Sequence, residues 1–172
     1  MAMDFDAFRM QLLVPSQRCV FDYWLSCRQD AIAPSRSAFS PSAIPQYLPY
    51  VSLIDVEETH GFRMRLAGTQ LREIFGREVT GFAVSDLERM SNARYWSRAC
   101  ETVVETVAPA QGAIKSPRVT KDHLVQFWLR MPFIADDGQV RQLLGFDICI
   151  PSAELKFDLP QCDQGESDLI AI

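Results

Sequence analysis

The sequence predicts an α+β fold: a five-stranded antiparallel sheet with helices on one face and a further helix flanking it at the N-terminus. Three observations lead there. Two short β-patterned runs precede the central helical segments, and three follow them. Each group carries a hairpin signal, Gly61 in the first and Asp136, Asp137 and Gly138 in the second. Between the groups, Tyr95, Trp96, Ala99, Cys100, Val103, Val104 and Val107 recur at helical spacing. Strands and helices segregated in this way suit a layered α+β domain.

Taken in order, residues 1–16 are mixed in character, and Pro15 lies near their end. They are expected to be a flexible or docking lead-in. From Gln17 to about Asp30, Val20, Phe21, Trp24 and Leu25 fall on one helical stripe, with Ser16 as a plausible N-cap and Pro34 as the stop. Ser40 before Pro41 suits the start of a short helix over 41–47. VSLIDV, residues 51–56, is rich in β-branched residues and reads as a strand. Phe62, Met64 and Leu66 alternate with Arg63 and Arg65, the period of a half-buried strand.

After Gly68 the period changes. Leu71, Ile74 and Phe75 have helical spacing, Thr69 suits a cap, and Gly76 is placed to end the helix. Gly81 marks a turn, and VSDLERM predicts one more helical turn. The longest helix is expected from Ser91 to about Val107, closed by Pro109. Residues 112–119 form a weak strand interrupted by Pro117. In LVQFWLRMPF, Val125, Phe127, Leu129 and Met131 share one face, and Leu124, Gln126, Trp128 and Arg130 share the other. Val140 to Ile150 is the final strand, stopped by Pro151. The folded domain is thus expected over 17–151. An acidic tail follows over 152–172, loosely ordered or docked through Leu169, Ile170 and Ile172.

Composition narrows the function. Seventeen basic against 22 acidic side chains give a net charge of −5, against the basic face of a dedicated nucleic-acid binder. No apolar run approaches the roughly 20 residues that span a bilayer, and the N-terminus lacks a secretory pattern, so a cytoplasmic protein is expected. The five cysteines, Cys19, Cys27, Cys100, Cys149 and Cys162, form no CxxC pair, and His60 and His123 lie far apart. Neither a disulfide framework nor a zinc site is expected. GxSxG, P-loop, GxGxxG and HExxH patterns do not occur. Asp55, Glu57 and Glu58 cluster near a strand end and read as solvated charges. Catalysis is not expected.

Several phrases carry a resemblance. These are Trp24 in a helix, Arg36–Phe39–Pro41, Arg65 to Thr69 (RLAGT), and Phe75 to Gly81 (FGREVTG). Together with the element order, from about Gln17 to Pro151, they resemble a PAS domain. In particular they resemble a family of small stand-alone bacterial PAS-like proteins best known from alphaproteobacteria. The resemblance implies a sensory or regulatory fold without intrinsic catalysis. It implies a pocket between sheet and helices, or pairing with partners through the outer sheet face and the N-terminal helix. It supplies no particular ligand.

Two readings follow. In the first, a small metabolite binds in a pocket lined by Arg65, Thr69, Leu71, Phe75, Trp96, Cys100, Phe127, Leu129 and Phe146. Leu66, Ile74, Phe82, Leu87, Val103 and Leu144 belong to the same apolar set. In the second, that set is a filled core, and the protein is an adaptor or homodimer meeting its partner through Val20, Phe21, Trp24, Leu25 and Trp128. Arg65 and Thr69 also admit a plainer reading, a surface salt bridge and a helix cap. The cofactor is left open. Haem and flavin are not expected, because no histidine falls on the central helices and no flavin-adduct phrase of the N-C-R-F-L kind occurs. Cys100 reads as a small hydrophobe.

Overall fold

Asp4 opens the first helix, α1 (Phe5–Gln11), by accepting hydrogen bonds from the amides of Asp6 and Ala7 at 3.1 and 3.0 Å. The computed structural model describes residues 3–59, 61–88, 94–116, 121 and 123–155. The lead-in is therefore docked rather than flexible, with Phe8 and Leu12 buried. A second helix, α2 (Pro15–Ser26), starts on Pro15 and has Val14 at its N-cap, so Ser16 is not the cap. It ends four residues short of Asp30. Arg9 grips Asp22 with two hydrogen bonds of 2.6 and 2.7 Å, fastening α1 to α2.

The proline-rich passage that follows forms 3-10 turns over Pro41–Ala43 and Pro45–Tyr50 in place of one α-helix. Pro45 and Pro49 supply no amide donors there. Then come β1 (Val51–Val56) and β2 (Phe62–Ala67), paired antiparallel as expected. Ile54 pairs with Met64 but Leu53 with Leu66, so Arg65 is an extra residue in β2. This bulge reverses the alternation beyond Met64. Leu66 consequently lies opposite Leu53 and is exposed.

Three helices cross one face of the sheet: α3 (Thr69–Phe75), α4 (Val84–Glu88) and α5 (Tyr95–Thr106). Gly68 is the N-cap of α3, and Thr69 is its first helical residue with no capping bond. Gly76 ends α3 in the left-handed region at φ 76°, as its position predicts. The last strands are β3 (Ala110–Lys115), β4 (Leu124–Ile134) and β5 (Val140–Pro151). The sheet order is β2-β1-β5-β4-β3, and every neighbouring pair is antiparallel.

β4 is buried on both faces, which explains its near-continuous apolar sequence. Its inner side chains meet α3, α4 and α5 in one cluster that includes Leu71, Phe75, Trp96, Cys100 and Trp128. Its outer side chains meet α2 in a second cluster with Val20, Phe21, Trp24, Leu129, Met131 and Phe146. Val14, Val125 and Phe127 form a third, smaller one. Two side chains of α2 bond directly to β4. Trp24 Nε1 donates to the Pro132 carbonyl at 3.0 Å, and Gln17 Nε2 donates to the Trp128 carbonyl at 3.2 Å. The acidic tail beyond Leu155, His60, and residues 91–93 of the expected long helix lie outside the described residues.

Candidate functional site

The inner face of the sheet carries a polar strip across its centre. Alternation along β4 brings Gln126, Trp128 and Arg130 to this face, and β5 adds Gly145, Asp147 and Cys149 opposite them. β1 contributes Ser52, whose cross-strand partner is Gly145. Asp147 is fully buried and accepts from Gln126 Nε2 at 2.9 Å. It also takes both Arg130 terminal nitrogens, Nη1 at 2.9 Å and Nη2 at 3.1 Å. Burial is the largest influence on Arg130 and works against its charge, but the Asp147 charge, Cys100, the Asp147 hydrogen bond and Tyr95 together outweigh it. The net direction for Arg130 is upward, so the strip is a fixed ion pair.

Two glycines give this strip its shape. A Cβ on Gly112 would lie 2.6 Å from Cζ2 of Trp128, so the indole lies against bare backbone on β3. A Cβ on Gly145 would lie 2.1 Å from Ser52 Oγ and 3.2 Å from Arg130 Nη1. Aromatic rings close the strip from above. The Arg130 guanidinium sits 5.3 Å from the Trp96 ring centre and 5.8 Å from that of Trp128. Trp128 Nε1 donates to the Tyr95 hydroxyl at 2.7 Å, which ties α5 to β4.

At the Cys149 end the inner layer opens into a cleft of about 240 Å³. Gln70, Glu73 and Ile74 of α3 form one wall, with Tyr50 beside them. Lys121 faces them, 3.9 Å from the Glu73 carboxylate. The Cys149 thiol is pushed up to about 11, chiefly by burial and then by the Asp147 charge, while Lys121 pulls the other way. It is therefore a neutral wall group near pH 7. A larger open groove of about 780 Å³ runs past the far end of the sheet. Its lining includes Asp55 and Glu57, which are paired with Arg65 and Arg63 at 3.1 and 2.6 Å.

The expected pocket residues divide. Leu71, Phe75, Trp96 and Cys100 do come together on the inner face. Leu129 and Phe146 lie on the opposite face beneath α2, and Phe127 lies on that face against Val14. Arg65 is exposed and bonded to Asp55, and Thr69 is exposed, so neither points into the inner layer. Leu66 and Phe82 are exposed, and Leu144 belongs to the outer cluster. The expected interface divides as well. Val20, Phe21 and Trp24 are wholly buried by the sheet of their own chain, and half-buried Leu25 packs against the same cluster. Trp128 is an inner-core residue.

Sequence reasoning passed over Ser52, Gln126, Arg130 and Asp147. The signal was present: LVQFWLRMPF sets Gln126 and Arg130 on one face of an apolar strand, and LLGFDICI sets Asp147 in the middle of another. Such residues need buried partners. A family model described as a PAS domain matches residues 12–148. The chain belongs to the PAS domain family. In this PAS domain the matched span takes in β1 to β4 and β5 up to Ile148, and α1 lies ahead of it. Among curated proteins, none matches the sequence.

Solved structures similar to this PAS domain include a sensory box sensor histidine kinase from Vibrio cholerae. The likeness covers 81% of this chain and 98% of that one at 14% identity, with a TM-score of 0.44. An RNA-binding light-oxygen-voltage receptor matches over 70% of this chain and 36% of its own, at 14% identity and a TM-score of 0.49. A fungal LOV domain photoreceptor matches over 67% and 95%, at 12% identity and a TM-score of 0.44. PAS domains are in general sensory and signalling modules. Among the described residues, no helix is long and apolar enough to cross a membrane, and no group of three or more His, Cys, Asp or Glu side chains is placed to hold a metal.

Proposed function

We propose that this PAS domain is a non-catalytic regulatory module. It takes a small molecule at the helix-facing side of the sheet and signals through protein–protein contacts. The observation that carries this reading is the cleft of about 240 Å³ beside the buried strip. Cys149 lines the cleft, and its cross-strand neighbour is Gln126, which is bonded to Asp147. The cleft combines apolar walls with Lys121, Glu73 and Gln70, which suits a small polar metabolite better than haem or flavin. A ligand there shifts the domain between states only by binding one of them more tightly. β4 offers a route outward, because the strand that carries Trp128 inside is held by Gln17 and Trp24 outside.

A second reading is a ligand-free adaptor. The packing of Tyr95, Trp96 and Trp128 favours it, since rings 5.1 to 6.0 Å apart fill the centre of the inner layer. Either way, partner contacts must use surfaces other than Val20, Phe21 and Trp24, which the fold has already consumed. A crystal structure of protein purified without denaturation separates the readings. Density for a bound molecule against Lys121 and Cys149 supports the sensor. A cleft holding only solvent supports the adaptor.

A further inference from the structure

The two edges of the sheet differ. β2 is covered along part of its length. The Gly81 amide donates to the Met64 carbonyl at 2.6 Å, the Met64 amide donates to the Phe82 carbonyl at 2.9 Å, and Arg63 bridges to Ala83. β3 has β4 on one side and, among the described residues, no backbone partner on the other. One bond tells which of its groups face out. The Ser116 amide donates to the Leu124 carbonyl at 2.9 Å, so Ile114, Gly112 and Ala110, at alternate positions before it, also turn their backbone groups to β4. Gln111, Ala113 and Lys115 turn theirs away. β3 is regularly paired, with no proline or bulge between Ala110 and Lys115. An open edge of this kind is a template for another strand.

We infer that β3 pairs antiparallel with β3 of a second copy of this chain, extending the sheet across a two-fold axis at Ala113. The outward groups select this occupant. Gln111 and Lys115 are evenly spaced about Ala113, so the strand reversed on itself offers a partner to each of their amides and carbonyls. Charge selects the register. Lys115 is the only charged residue of β3, and it falls opposite Gln111 of the second copy, whose side-chain oxygen can accept from it. The two lysines then lie at opposite ends of the paired strands. This edge is separate from the cleft near Cys149, and pairing there does not depend on a ligand.

Sedimentation velocity of the full chain over a concentration series tests the inference. The wild type should shift from monomer to dimer as concentration rises. Ala113→Pro removes an amide that faces away from β4, so it breaks the centre of the pairing and no bond within the chain. It should sediment as a folded monomer throughout. Two charge variants read the register without touching the backbone. Gln111→Lys sets like charges opposite each other and should weaken the dimer about three- to tenfold, whereas Gln111→Glu should tighten it by a similar factor. The chain's net charge of −5 would by itself rank these two variants the other way. A wild type that stays monomeric at every concentration overturns the inference. So does a dimer whose dissociation constant is unmoved by both charge variants.

Discussion

Arg130 on β4 and Asp147 on β5 meet diagonally across the strand pair with side chains 3% and 0% exposed, joined by hydrogen bonds of 2.9 and 3.1 Å. Removing one partner strands the other charge in a dry layer, at a cost of about 3–5 kcal/mol. Arg130→Met and Asp147→Leu should each unfold at markedly lower urea concentration than the wild type. The double variant should recover much of the loss, because packed apolar groups replace a buried pair well. A double variant no better than either single one would mean that the pair's neighbours, not its charges, set the cost.

The two glycines beside this pair should resist even alanine. At Gly112 the added Cβ would meet the Trp128 ring, which is held between Tyr95 and Trp96 and has nowhere to go. Overpacking of this kind costs about 1–3 kcal/mol. Gly112→Ala should therefore lower the urea midpoint and change the near-ultraviolet dichroism of the tryptophans. An unchanged spectrum would show that the indole lies elsewhere.

The docked lead-in gives a contrast between core and surface. Phe8 is 2% exposed, so Phe8→Ala should cost about 3–5 kcal/mol. The Arg9–Asp22 pair has side chains 43% and 42% exposed, so Asp22→Asn should cost less than about 1 kcal/mol. Equal and small effects in chemical unfolding would mean that α1 is not part of the folded unit.

The Cys149 thiol rises from 9.0 to about 11 on folding, chiefly through burial. The folded form thus keeps its proton where the unfolded chain releases it. This contribution is fully present below pH 9 and is lost as the pH climbs through about 11. Melting curves should show wild-type stability falling more steeply over that window than Cys149→Ser. Parallel curves would indicate a solvated thiol.

Much of the fold was legible because its signals are local. The hairpin turn before Phe62, the period change after Gly68 and the stop at Gly76 all act within a few residues. The helix α1 was missed because seven residues are too few to show a stable helix by propensity alone. Its stability comes from Phe8 and Leu12 against the sheet, a contact between distant parts of the chain. The faces of β4 were correctly divided, but alternation does not say which set meets which helices. Phe127 and Leu129 therefore went to the pocket and Trp128 to the interface, the reverse of their places. Arg130 and Asp147 fix the choice, since among the described residues each is the other's buried charge partner. Leu66 was misplaced for a different reason: a bulge at Arg65 breaks the phase and leaves no mark in the residue pattern.

The central claim is that a small molecule occupies the cleft beside Cys149. The most direct test is a native mass spectrum of the wild type beside Cys149→Trp, in which the indole fills the cleft. The account predicts a non-covalent added mass on the wild type that is missing from the variant. A bare mass for both folded proteins, or the same added mass on both, would contradict it.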